Sequence, residues 1–238
     1  MSEPVSLGLS VGVELLTKVA PTGLAWLSTK FFGVNLLVLG ERRSGKSSFA
    51  NYFEYGVLLP QGTTTPRTLK ERDTASFVIA TGRDKSLRMH VRRVTDTVGH
   101  ATIKEQIDLI SRRCPHILMV FVDISRDWDI EDDDFGSRYL SLFLEELNSR
   151  SARVSKISSK LKHMCIVLNK VDLVAKDVVK KKNEEIKRLL SGFRSPNWGG
   201  SAAAVAVYPC VAIEHSGATE ILDEILKKII LAVVLESR

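Results

Sequence analysis

Cysteine is scarce in this chain and long apolar runs are missing. Three cysteines, Cys114, Cys165 and Cys210, occur among 238 residues. Their number is odd, they are far apart, and each lies beside an apolar stretch. That excludes a disulfide framework and a cysteine-based metal site, and it points to reduced core thiols in a reducing compartment. No stretch of about 20 apolar residues is present to span a bilayer, because Glu14, Lys18 and Pro21 interrupt the best candidate. No basic region precedes an apolar one at the N-terminus, so a secretory signal is not expected. Neither Met1-Ser2 nor the final Glu236-Ser237-Arg238 carries a lipidation signal. Proline (7) and glycine (15) are too sparse for a collagen-like or low-complexity chain. With 44% hydrophobic and 26% charged residues, the chain can bury a sizeable core, and the expected location is the cytoplasm.

Four short apolar runs stand out: 34–39, 116–122, 163–168 and 205–211. Runs of this length without polar alternation fit strands buried on both faces of a parallel sheet. Helical patterns separate and follow them, at 102–112, 139–161, 177–190 and 219–236, so strands and helices alternate as in a doubly wound α/β domain. One region departs from this order. Residues 74–80 and 87–95 alternate apolar with polar around Gly82, which predicts a hairpin at the sheet edge.

Charge is segregated. Residues 123–147 carry nine acidic residues against Arg126 and Arg138, a net of −7, while residues 151–194 carry twelve Lys/Arg against four acids, a net of +8. A basic helix from Lys180-Lys181-Lys182 to Arg188 reads as a solvated face or as a surface for an acidic partner or anionic membrane. Aromatic residues are not interleaved there, so specific nucleic-acid binding is not expected.

Directly after the first apolar run comes Gly40-Glu41-Arg42-Arg43-Ser44-Gly45-Lys46-Ser47, the Gly-x4-Gly-Lys-Ser pattern of a phosphate-binding loop. Its glycines let backbone N–H groups curl around a phosphate, and the helix that follows points its positive end at the same anion. Gly40, Arg43, Ser44, Gly45, Lys46, Ser47 and Ser48 are therefore candidate nucleotide-binding residues. Lys46 would reach the outer phosphates and the Ser47 hydroxyl would ligate Mg²⁺.

The third run ends in Asn169-Lys170-Val171-Asp172. An aspartate there can accept both N1–H and N2–H of guanine, and adenine offers no donor at either place. Asn169 can brace the loop and the Lys170 stem can cover one face of the base.

With these two motifs in this order, the chain from Val34 onward resembles the Ras-like P-loop GTPases of the translation-factor and Ras class. The resemblance implies a three-layer α/β fold, with a mostly parallel six-stranded sheet and one antiparallel edge strand, binding GTP or GDP with Mg²⁺. Asp96-Thr97-Val98-Gly99 is similar to the family's Asp-x-x-Gly loop, which would make Asp96 a Mg²⁺ residue and Gly99 the γ-phosphate sensor. Gly62-Thr63-Thr64-Thr65-Pro66 resembles the first switch. Thr65 has the more Ras-like spacing as Mg²⁺ ligand, and Thr64 matches some bacterial relatives. Asp123, at the end of a more apolar strand, competes with Asp96, but the hairpin before Asp96 and the Gly99-His100 after it favour Asp96.

The chain also departs from that family. His100 stands where many Ras relatives have glutamine and translation-type GTPases have histidine, a place from which an imidazole can orient the attacking water. Arg42 and Arg43 are bulky for a phosphate loop. An arginine at the place of Arg43 resembles guanylate-binding, dynamin-related GTPases, implying a catalytic finger used in a nucleotide-dependent homodimer. The alternative is a solvated arginine paired with acidic residues around Asp132. The final base-contacting motif is degenerate, Ala212-Ile213-Glu214-His215-Ser216-Gly217 aligning only loosely.

Leu7, Val11, Leu15 and Val19 recur every four positions, and Leu24, Leu27 and Phe31 follow Pro21-Thr22-Gly23. Residues 1–33 thus read as an amphipathic helical extension before a GTPase domain at 34–238. The extension has three possible uses, docking on the core, peripheral membrane contact, or a protein partner. Function reads as Mg²⁺-dependent GTP hydrolysis in a conformational switch with protein effectors or regulators. The alternative is a GTP-holding scaffold or assembly module with negligible hydrolysis.

Overall fold

The structure, a computed structural model, describes residues 33–55, 58–60, 70–74, 76–81, 87–97, 101–126, 136–150, 161–192, 204–211 and 218–235. Seven strands form one sheet: β1 (Val34–Gly40), β2 (Arg72–Asp73), β3 (Phe77–Thr81), β4 (Leu87–Asp96), β5 (Ile117–Asp123), β6 (His163–Asn169) and β7 (Ala204–Cys210). Their order is β2-β4-β1-β5-β6-β7, with β3 also paired to β4. Since β2 and β3 lie along the same side of β4, the sheet has six positions, and its one antiparallel position is the β2/β3 edge. That is the expected architecture. Five α-helices accompany it among the described residues: α1 (Lys46–Tyr55), α2 (Ile103–Arg113), α3 (Gly136–Ser149), α4 (Lys176–Gly192) and α5 (Ala218–Leu235).

The apolar runs become central strands because both sheet faces are covered. On one face Leu36 and Val38 of β1 join Phe49 of α1 and Leu222 and Ile229 of α5 in a buried cluster. On the other, Leu37 and Leu39 pack with Ile107 of α2 and Tyr139 and Phe143 of α3. Strands β5 and β6 are buried throughout, which is why their sequences show no polar alternation. The hydrophobic contribution, at about 25 cal/mol per Å² of apolar surface, comes from these two layers.

The hairpin forms with β3 and β4 antiparallel, from Phe77 opposite Val91 to Thr81 opposite Leu87. The edge strand is broken between β2 and β3. There Thr74 donates its N–H to the Val94 carbonyl (2.9 Å) and accepts the Val94 N–H on its hydroxyl (3.1 Å), a side chain standing in for a ladder carbonyl. At the opposite edge β7 contains the exposed Pro209.

Helix α2 begins with a capping box, Thr102 and Glu105 each accepting from the other's backbone N–H. Its last turn carries Arg112 and Arg113, which pair with Glu71, and Arg113 also reaches Asp73. One helix differs from expectation. The pattern predicts a helix over 139–161, whereas α3 starts at Gly136 and ends at Ser149, and Leu161 is non-helical and buried. Ser149 turns its hydroxyl back onto the Glu146 carbonyl (3.0 Å) at that end, and Lys162 already bonds to the His116 carbonyl (2.8 Å) as the chain enters β6.

The extension's residues 1–32, and with them all three of its expected uses, lie outside the described residues. No helix among the described residues is long and apolar enough to cross a membrane.

Candidate functional site

Parallel strands in one sheet carry their C-terminal ends to one edge, so the loops after β1, β4, β5 and β6 converge there. Register fixes the neighbours: Val38 of β1 is opposite Asp96 of β4, Gly40 is opposite Phe121 of β5, and Asp123 is opposite Asn169 of β6.

The loop from Gly40 to Gly45 leaves β1 with three positive φ angles, 139° at Gly40, 62° at Arg43 and 93° at Gly45. Gly40 has no room for a side chain, since a Cβ there would stand 2.7 Å from the Phe121 amide nitrogen and closer still to its carbonyl oxygen. Arg43 adopts a left-handed backbone that is uncommon for a side-chain-bearing residue, and both Arg42 and Arg43 are exposed. Helix α1 starts at Lys46, with Ser47 and Ser48 half-buried in its first turn.

Lys46 is 4% exposed and folds back over its own loop, donating to the Gly40 carbonyl (3.0 Å) and the Glu41 carbonyl. Burial pushes its ammonium down to about 8, against the opposing pull of Asp96 and Glu41. The buried Asp96 carboxylate therefore lies on the same side of the site as Lys46. A carboxylate and the hydroxyl of Ser47 are hard oxygen donors, and Mg²⁺ takes one or two of these while keeping waters and phosphate oxygens. The donor set fits that ion.

Asp123 occupies a different part of the edge. Its Oδ1 accepts from the Ser125 N–H (3.0 Å) and hydroxyl (2.6 Å), and its Oδ2 accepts from Lys170 and from Arg126 Nε (3.4 Å). Burial alone would raise its carboxyl, but the bonds from Lys170 and Ser125 hold it below its ordinary value. Engaged in this way, Asp123 belongs with the base loop, and Asp96 is the carboxylate beside Lys46.

The base loop is built on a left-handed Lys170 (φ 68°) followed by a single 3₁₀ turn, Val171–Leu173. Asn169, 3% exposed, donates its side-chain amide to the Ser44 carbonyl at 2.8 Å and so joins the base loop to the phosphate loop. The Oδ1 atom of Asp172 is buried and accepts no hydrogen bond among the described residues. An acceptor in that condition is suited to a ligand donor such as a guanine N–H.

Thr64, Thr65, Gly99 and His100 lie outside the described residues, as do Asp132 and the 212–217 loop. The structure thus brings together Gly40, Arg43, Ser44, Gly45, Lys46, Ser47, Ser48, Asp96, Asn169, Lys170 and Asp172.

Two residues of the site were not anticipated from sequence. Glu41 is 2% exposed and accepts N–H bonds from Asp123 and, at 2.8 Å, from Gly136; burial raises its carboxyl to about 7. The available signal was an acid inside an anion-binding loop, which must turn away from the anion. Lys182 was expected on a solvated basic face, but it donates to the Ile124 carbonyl (2.8 Å) and to the Arg126 carbonyl (2.5 Å), tying α4 to the loop after β5. Lys180, Lys181, Lys187 and Arg188 are exposed as expected.

No family model and no curated protein matches the sequence. Among solved structures, the chain is similar to the translation elongation factor SelB from Methanococcus maripaludis in complex with the GTP analogue GppNHp. The TM-score is 0.52 at 15% identity, covering 84% of this chain and 34% of that one. The apo form of the same factor gives 0.50 at 13% identity, over 84% and 33%. The chain spans about a third of the length of those structures. The likeness shows the fold alone, an α/β arrangement with a mostly parallel sheet covered by helices.

Proposed function

We propose that this chain binds guanine nucleotide at the loops after β1 and β6 and hydrolyses GTP to GDP. The observation that carries the reading is the Asn169 to Ser44 hydrogen bond, which holds a phosphate-loop sequence and a guanine-reading sequence together at one sheet edge. The buried Asp172 Oδ1, which accepts no hydrogen bond among the described residues, supports guanine over adenine. The SelB structure, whose GTP analogue is named with it, supports the same ligand class.

In this reading Lys46 leaves its loop carbonyls and neutralises the outer phosphates, while the backbone N–H groups of the 41–46 turn enclose them. Ser47, Asp96 and Thr65 or Thr64 would hold Mg²⁺, which would supply positive charge to the phosphate oxygens. His100 orients a water for in-line attack on the γ-phosphorus, the β–γ bridging bond breaks, and GDP and inorganic phosphate result. Arg43, exposed beside the phosphate site, serves as a finger in a nucleotide-dependent homodimer, a role consistent with guanylate-binding, dynamin-related GTPases. Both switches order around the γ-phosphate, and protein effectors or regulators read that state. The cytoplasm is the proposed location, and the extension at 1–33 is proposed to dock on the core, on a membrane surface or on a partner.

The test is to release the nucleotide that copurifies and identify it by anion exchange, then follow GTP turnover in the wild type and in His100→Ala. Bound GDP and slowed turnover with unchanged binding support hydrolysis. Retained GTP with no turnover supports the assembly-module alternative, and adenine nucleotide or none contradicts the guanine site. The finger is tested by single-turnover hydrolysis across protein concentration. A concentration-independent rate unchanged in Arg43→Ala removes that role.

A further inference from the structure

Glu41 and Asp123 are acidic and buried, Glu41 at a variable position of the phosphate-loop motif and Asp123 at the end of β5, and neither is among the residues expected to contact nucleotide. Glu41 is 2% exposed and Asp123 1%. Burying two carboxylates is expensive unless each is saturated with donors, so where their bonds go is informative.

The Glu41 carboxylate spends both oxygens on backbone amides from distant parts of the chain. One accepts the N–H of Asp123 at the end of β5, and the other accepts the N–H of Gly136 at 2.8 Å, at the start of α3. The Gly136 amide is one of the orphan donors of a helix N-terminus, where negative charge is favoured. Glu41 thereby clamps the first turn of the phosphate loop against two elements it does not follow in sequence.

Asp123 passes the connection on. Its backbone N–H meets Glu41, and its own carboxylate binds the ammonium of Lys170, the left-handed residue at the centre of the base loop. A return path closes the circuit, since Asn169 donates to the Ser44 carbonyl (2.8 Å) and the Ser44 hydroxyl donates to the Glu41 carbonyl (2.8 Å). Four of its members, Glu41, Ser44, Asp123 and Asn169, are at most 3% exposed. In such a setting hydrogen bonds reinforce one another, and no member can shift without unsatisfying the next.

We propose that Glu41 and Asp123 are positioning residues that couple the phosphate loop to the base loop, so that each end of a bound nucleotide sets the geometry met by the other. This rests on reading those two loops as the phosphate and base sites. Neither residue touches the nucleotide in this scheme. Glu41 acts through the Asp123 backbone and Asp123 acts through Lys170.

Dissociation of a fluorescent GDP, measured by stopped flow in wild type, Glu41→Gln, Asp123→Asn and the double variant, tests the coupling. Glu41→Gln places an amide donor against a backbone N–H, and Asp123→Asn removes the charge that holds Lys170. Each single change is expected to speed release about tenfold, the size of a lost hydrogen bond to a charged group. The double variant is expected to be no faster than the faster single variant, because both act on one circuit. Rates that multiply in the double variant, or a single variant that releases at the wild-type rate, overturn the proposal.

Amide exchange of the nucleotide-free protein provides a readout independent of the ligand, read in whichever variant folds by circular dichroism. The Leu173 N–H bonds to the Lys170 carbonyl (3.1 Å) on the far side of the base loop. Glu41→Gln is expected to speed exchange at Asp123, Gly136 and Leu173, and Asp123→Asn at Leu173 and Gly136. Acceleration that stops short of Leu173 in Glu41→Gln, or of Gly136 in Asp123→Asn, overturns the proposal. A wild-type protein that binds no GDP refutes the nucleotide reading itself, and exchange still decides whether the two loops are coupled.

Discussion

The Lys46 ammonium donates to the Gly40 carbonyl oxygen at 3.0 Å, so this buried side chain closes the loop that precedes its own helix. The arrangement is costly. Burial takes the ammonium from 10.5 to about 8, which at about 1.4 kcal/mol per unit disfavours the fold by up to about 3 kcal/mol at pH 7. A folded-state pKa below the unfolded one means that stability rises with pH between about 8 and 10.5. Lys46→Met is expected to abolish nucleotide binding and to raise the melting temperature of the nucleotide-free protein. A lower melting temperature in calorimetry would show that the carbonyl bonds outweigh the buried charge.

Asn169→Ala leaves the buried Ser44 carbonyl without its 2.8 Å donor and frees the base loop from the phosphate loop. A stability loss of about 1–3 kcal/mol is expected from the unsatisfied acceptor. GDP affinity should fall by more than that stability loss explains, as read by calorimetric titration well below the melting temperature. Unchanged affinity in a folded variant would mean that the two loops do not act on one ligand.

Asp172→Asn replaces a double acceptor with one acceptor and one donor. Guanine presents two donors to that position, whereas xanthine presents one donor and a carbonyl. The variant is expected to prefer xanthosine diphosphate over GDP, a swing of about a hundredfold or more when a buried polar pair is mismatched. Competition against a fluorescent nucleotide measures it, and unaltered GDP preference contradicts Asp172 as the base reader.

Glu41 and His163 set opposing pH dependences. Burial raises Glu41 from 4.5 to about 7, so its contribution to stability is lost as pH rises through that range. Burial lowers His163 from 6.5 to about 4, so its unfavourable charging in the fold makes stability rise with pH over about 4 to 6.5. Each amounts to about 3 kcal/mol at about 1.4 kcal/mol per unit, and they overlap from about 4.5 to 6.5. Wild-type stability should therefore be nearly flat there, and Glu41→Gln should uncover a rise with pH. Urea denaturation at a series of pH values checks it, a flat profile in Glu41→Gln being the contrary result.

Much of the fold was legible because the strongest patterns are set by burial. Strands β1, β5, β6 and β7 lie within a residue or two of the apolar runs, since a sheet covered on both faces admits few polar residues. The two-residue β2, Arg72–Asp73, is exposed and polar, so no periodicity marks it. The expected helix over 139–161 is longer than α3 because amphipathic spacing persists past Ser149, where the helix ends. In the site, motif spacing located Lys46, Asp96, Asn169 and Asp172, whose chemistry requires fixed residue types. Glu41, Asp123 and Lys182 act through contacts spanning 82, 47 and 58 residues, and a partner at that distance has no local signature.

The broken edge at Thr74 has a consequence for assembly. A strand margin invites another chain only where it offers a continuous row of unpaired groups. Here one margin is divided between β2, ending at Asp73, and β3, starting at Phe77, and the other margin carries the exposed Pro209, which has no backbone N–H to donate. Both features weaken these described margins as templates for extending the sheet into a neighbour. Contact with a neighbouring chain through loops and helices is therefore favoured over strand addition at these two described margins.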